Sequence, residues 1–131
     1  MSLEVGAQFS GWFEAPLGLG RTEFVLTVET VEEEGEGKKR WVGRGRDLTT
    51  LTTLGSRRQE EKEFTVEGTE EGVDITFTKE FCDGSHSGIV YRGKLDDVEG
   101  DVTVRGKYSF RFSKLWISMQ ITENFQMTLH Q

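Results

Sequence analysis

Between residues 102 and 112 every even position is apolar or glycine (Val102, Val104, Gly106, Tyr108, Phe110, Phe112) and every odd position is polar. A period of two places successive side chains on opposite faces of a strand. The same alternation recurs along the chain. It predicts eight strands, at about 8–15, 22–32, 39–47, 62–68, 73–82, 88–96, 101–112 and 117–130. No window carries a helical period. Short gaps between strands predict antiparallel hairpins in a meander rather than helical crossovers.

Strands that share an inward face must be joined by an even number of residues. Asp97-Val98-Glu99-Gly100 and Thr69-Glu70-Glu71-Gly72 each supply four and end in Glu-Gly, where a positive φ suits glycine. Ser113-Lys114-Leu115-Trp116 is a third four-residue connection. With these turns Leu95 faces Val102, Gly93 faces Val104, Tyr91 faces Gly106 and Ile89 faces Tyr108. Pairing Phe81 with Ile89 sets Phe77 opposite Gly93. The two Arg-Gly-Lys triplets, 92–94 and 105–107, thus each turn a glycine inward under a bulky neighbour and point their cations outward. With Gly43, Gly45 and Gly68, such inward glycines let strands bend enough to close a small barrel. The expectation is one all-β domain over residues 1–131, an eight-stranded antiparallel up-and-down β-barrel, with 1–7 as an N-terminal tail and 48–61 as a long loop or lid.

In length, strand number and meander order, residues 8–130 resemble the calycin class, the avidin-like and lipocalin-like barrels. The resemblance is architectural. The helical insertion of the fatty-acid-binding branch has no counterpart in the short segment 15–21. Gly11-Trp12 is not the lipocalin Gly-x-Trp motif, and no avidin biotin-binding set is present. What the resemblance implies is a barrel with a ligand cavity opening at one end.

A meander gathers alternate loops at opposite ends. One end collects the short acidic connections 33–38, 69–72 and 97–100. The other collects 16–20, 48–61, 82–87 and 113–116, with Leu17, Leu19, Leu48, Leu51, Leu54, Cys82, His86 and Trp116. Apolar residues in loops generally cover something, so this second end is the expected mouth. Leu48, Leu51 and Leu54 form either a plug over the barrel end, a ligand-responsive lid, a disordered segment or a short helix capped by Asp47. The inner ligand-binding candidates are Phe77, Lys79, Tyr91, Tyr108, Phe110 and Trp116, with Leu48, Leu51, Leu54, Cys82 and His86 at the lid or mouth.

Composition narrows the partners. A net charge of −7 argues against nucleic acid and anionic membranes, because phosphate binding needs a basic surface. One cysteine excludes an internal disulfide. No stretch has the length of a membrane span or the form of a signal peptide, and a cytoplasmic protein is expected.

Lys79 falls inward between Phe77 and Phe81. It either anchors an anionic ligand group or reaches the rim to water. Cys82-Asp83-Gly84-Ser85-His86-Ser87 gathers nucleophile, base and acid in six residues, but catalytic triads converge from separate elements, and an ordinary turn accounts for the segment. No metal site and no cofactor is expected. Arg44, Arg46, Arg92, Lys94, Arg105 and Lys107 face outward, either toward an acidic partner or balanced by Glu63, Glu67 and Glu80. Trp12, off the inner face, would cover the N-terminal tail or mark a subunit contact. The leading expectation is a non-catalytic barrel binding a small, largely apolar ligand, with or without an anionic group. The alternatives are a protein-interaction or homo-oligomerising module with a filled interior, and a calycin-type isomerase or cyclase.

Overall fold

The computed structural model describes residues 3–53 and 55–130, with backbone only at 17, 50–53 and 98. Eight antiparallel strands run in order: β1 (Gln8–Glu14), β2 (Arg21–Gly35), β3 (Lys38–Thr53), β4 (Ser56–Glu71), β5 (Asp74–Phe81), β6 (Ile89–Val98), β7 (Asp101–Lys114) and β8 (Ile117–Leu129). Each pairs with its neighbours in sequence, and β8 returns to β1, closing the ring. The helical piece between β1 and β2 is a single 3-10 turn, Pro16–Gly18. Among the described residues no helix is long and apolar enough to cross a membrane.

The inward faces follow the alternation. Phe9, Phe24, Leu26, Val28, Trp41, Phe64, Val66, Ile75, Phe77, Tyr91, Val104, Tyr108, Phe125 and Met127 are all buried and form one core cluster. A bulge in β2 between Val28 and Thr30 shifts the face once, so that Val31 packs against the core as well.

Register departs from expectation at the turns. The connection between β6 and β7 is two residues, Glu99-Gly100, both at positive φ (52° and 88°), so Val98 pairs with Asp101. The β4–β5 and β7–β8 turns are likewise two residues, between Glu71 and Asp74 and between Lys114 and Ile117. Two and four are both even, so parity preserved every inward face and could not separate the two lengths. The consequence is local but real. Gly93 faces Gly106, not Val104, and Tyr91 faces Tyr108. Ile75, not Phe77, lies across from Gly93. The Phe125 ring of β8 fills the space beside the glycine pair and lies within 4.9 Å of the Tyr91 ring. A Cβ on Gly106 would stand 1.9 Å from the Arg92 carbonyl oxygen, so the two strands approach there only because both residues are glycine.

The segment expected as a loop or lid also differs. Residues 48–53 and 56–61 continue β3 and β4 as a paired ribbon, with Thr53 opposite Ser56. Leu54, and the side chain of Leu51, lie outside the described residues. Threonines 49, 50, 52 and 53 suit a strand. Residues 56–61 are exposed with no core beneath them, and the apolar alternation is absent there. The β7–β8 hairpin projects similarly, leaving Phe112 (39%), Ile117 (57%) and Met119 (46%), all expected inside, exposed. Val73, also expected inside, is a turn residue at 52% exposure.

Candidate functional site

The two ends of the ring are finished differently. At the acidic end the N-terminal segment folds back over the opening. Leu3 is buried, its N–H donates to the buried Glu70 carboxylate at 2.6 Å, and Gly6 and Ala7 exchange backbone hydrogen bonds with Val28. Residues 3–7, expected as a tail, act as a stopper.

Below the opposite end sits Lys79, buried on the inner face of β5 at 2% exposure. Its ammonium donates to both carboxylate oxygens of Asp47, at 2.8 and 2.9 Å, and to the Tyr91 hydroxyl at 3.3 Å. Asp47 is buried too. Five aromatic rings surround the charge: Phe64 at 4.4 Å from the nitrogen to the ring centre, Phe13 at 4.7 Å, Phe81 at 4.9 Å, Tyr91 at 5.6 Å and Phe24 at 5.9 Å. Ring faces attract a cation, most strongly where water is absent. Burial nevertheless dominates the electrostatics. It lifts the Asp47 pKa above the ordinary carboxylate value, against the pull of Lys79, and lowers that of Lys79 below an ordinary lysine. Burial, aided by the charge of Asp47, pushes Tyr91 well above 10. Tyr108 is pushed up to about 12, chiefly by burial and then by nearby carboxylates, and its hydroxyl donates to the Glu14 carbonyl.

All three donors of the ammonium are therefore engaged, and its charge is matched by Asp47. Lys79 is neither free to anchor an anion nor snorkelling to water. Asp47 is the partner that the sequence reading overlooked. The signal was there: Trp41, Gly43 and Gly45 face inward, and one more step of two reaches Asp47.

The other candidates divide. Phe77, Tyr91 and Tyr108 join the core, with Phe77 stacked on Tyr91 at 4.7 Å and Tyr91 on Tyr108 at 5.4 Å. Phe110 is half-buried, with the exposed His86 ring 5.9 Å away. Phe13, Phe81 and Phe110 form the half-buried apolar rim of this end. Trp116 is 89% exposed on the β7–β8 turn. Leu48 points off the inner face and lines an outer groove with Trp12, Glu23 and Val25. A groove of about 450 Å³ lies on the outer side of β1, β2 and β3, and one of about 620 Å³ lies at the acidic end among Glu33, Lys38, Glu70 and Val73. Cys82 is exposed, and the Asp83 carboxylate accepts from the Ser85 N–H in a local turn. Among the described residues no group of three or more His, Cys, Asp or Glu could hold a metal ion. On the outer face, Arg44 pairs with Glu29, Arg46 with Glu61 and Arg40 with Glu67, and Arg21 lies over the Trp12 ring at 3.8 Å.

No protein-family model matches this chain, and no curated protein matches it. The class that can be stated is the architectural one: an all-β protein of eight up-and-down antiparallel strands closed in a ring.

Proposed function

We propose that the protein is a non-catalytic, calycin-like binding barrel that takes a small, largely apolar ligand at the end opposite the acidic turns. The observation that carries this is the contrast between the ends. One is stoppered by Leu3, whereas the other offers the half-buried rings of Phe13, Phe81 and Phe110 above a neutralised Lys79–Asp47 pair. Exposed ring faces over a dry floor favour apolar contact. Because Asp47 already occupies Lys79, the preferred ligand is uncharged. Phe77, Tyr91 and Tyr108 act as the floor rather than as direct contacts, and His86 stands at the edge. The lone cysteine suits a reducing compartment, and we place the protein in the cytoplasm on that ground.

The test is a titration with N-phenyl-naphthylamine, a neutral apolar fluorophore. The wild type gives a saturable rise in emission. Phe110→Asp, at a rim position, abolishes it while the circular dichroism spectrum is kept. A wild type with no saturable response, or a Phe110→Asp variant that binds equally well, rejects the mouth as a ligand site.

A further inference from the structure

The ring is closed at its waist but not along the full length of its strands. β1 pairs with β8 from Phe125 to Leu129 only, and β6 follows β7 no further than Ser109. Beyond these points Phe110–Lys114 and Ile117–Ile121 pair with each other and project as a two-stranded ribbon. Among the described residues, the outer edge of Ile117–Asn124 has no ladder partner. An isolated two-stranded ribbon is marginal in water, and an unpaired edge is a template for another strand.

Proteins usually guard such edges with charge or proline. The second projecting ribbon does so: its β4 edge carries Arg57, Arg58, Glu60, Glu61, Lys62 and Glu63, all but Lys62 exposed. The β8 edge does not. From Leu115 to Thr122 there is no charged residue and no proline. One face presents Ile117 and Met119, both exposed, followed by Ile121. The other presents Ser118, Gln120 and Thr122, also exposed.

We propose that this edge pairs antiparallel with the same edge of a second copy, about a twofold axis near Met119–Gln120. The edge itself selects a second copy: Leu115 to Thr122 carries no charge of either sign, so same-edge pairing opposes no like charges, while Arg111 and Lys114 lie on β7, one strand away from the axis. The chain carries a net −7, yet no acidic residue occurs from Val102 to Thr122. Here two acidic molecules can meet without opposing carboxylates. An antiparallel twofold also sets Ser118, Gln120 and Thr122 beside uncharged counterparts, and Met119 and Ile121 beside apolar ones. Backbone hydrogen bonds would supply the affinity and the matched side chains the register. This inference is independent of the ligand reading, because the ribbon edge is not part of the aromatic mouth.

Sedimentation of the full chain over a range of concentrations tests it. The wild type shows a reversible monomer–dimer equilibrium. Gln120→Lys, at an exposed position opposite Arg111, weakens the dimer by on the order of tenfold or more, by adding like charges near the axis, and Gln120→Glu, whose charge Arg111 partly offsets, weakens it less. An equimolar mixture of the two variants restores dimer as a heterodimer. Thermal melts at fixed low concentration confirm that both variants fold. A wild type that stays monomeric, or a dimer indifferent to both substitutions, overturns the proposal. So does a monomer that binds phosphatidylserine vesicles and loses that binding with Trp116→Ala, which would assign the ribbon to a lipid surface.

Discussion

Lys79 and Asp47 stand 2.8 Å apart, and so do Lys94 and Asp74, yet the two pairs sit in opposite settings. The first is enclosed by rings inside the barrel, with 3% and 7% side-chain exposure. The second lies on the outer wall near the acidic turns, at 73% and 61%. Distance is the same, so environment decides what each pair is worth. In water the attraction is screened and the side chains give up freedom to meet. Inside, the attraction is strong, but each charge has lost its hydration, and the pair only offsets that loss while both members are present. The outer pair is a marginal addition to stability. The inner pair is a mutual dependence.

The largest effect should therefore come from breaking the inner pair. Asp47→Ala leaves a buried ammonium uncompensated and should cost about 3–5 kcal/mol in urea denaturation. Replacing both members, as Asp47→Leu with Lys79→Met, should recover most of that loss. A double variant no more stable than Asp47→Ala would mean that packing at Asp47, not charge, was the cause. At the stoppered end, Leu3→Ala should cost about 2 kcal/mol, the lower part of the range for buried leucines, because only one side chain covers the opening. The tyrosines give a pH test of the aromatic interior. Both are held above the ordinary value of 10, Tyr108 at about 12. The unfolded chain releases these protons first, so their contribution is complete below pH 10 and is lost as the pH climbs through about 12. Tyrosinate absorbance should stay low near pH 10 and rise together with loss of near-UV dichroism. A titration of both tyrosines near 10 would contradict a dry interior. The smallest effect belongs to the outer pair: Asp74→Ala should change stability by under about 1 kcal/mol and by less still in high salt.

The contrast also marks where sequence reasoning reaches. Lys79 was legible as an inward residue because Phe77 and Phe81 flank it at the strand period. Its partner was not, since Asp47 lies two strands away and was placed at the end of its strand, as a helix cap. The extension of β3 and β4 was missed for a related reason: hydrophobic alternation records burial, and residues 56–61 lie beyond the core that would have imposed it. In β7 and β8 the alternation runs on through Phe112, Ile117 and Met119, so the strands were legible but the exposure of their ends was not. Turn lengths of two and four leave the same faces inward, so the Gly93–Gly106 pairing could not be read from parity. The stopper role of Leu3 had no local signature at all.

The sequence by itself determined the strand number, the antiparallel order and the inward face of each strand, because a two-residue period is a local property of the chain. Tertiary structure alone decided which inward groups meet. That Asp47 neutralises Lys79, that Phe125 fills the space beside two facing glycines, that Leu3 closes one end and that one ribbon edge stays open all depend on the closure and stagger of the ring. Those bring residues from non-neighbouring strands to a few ångströms, a separation to which no local pattern is sensitive.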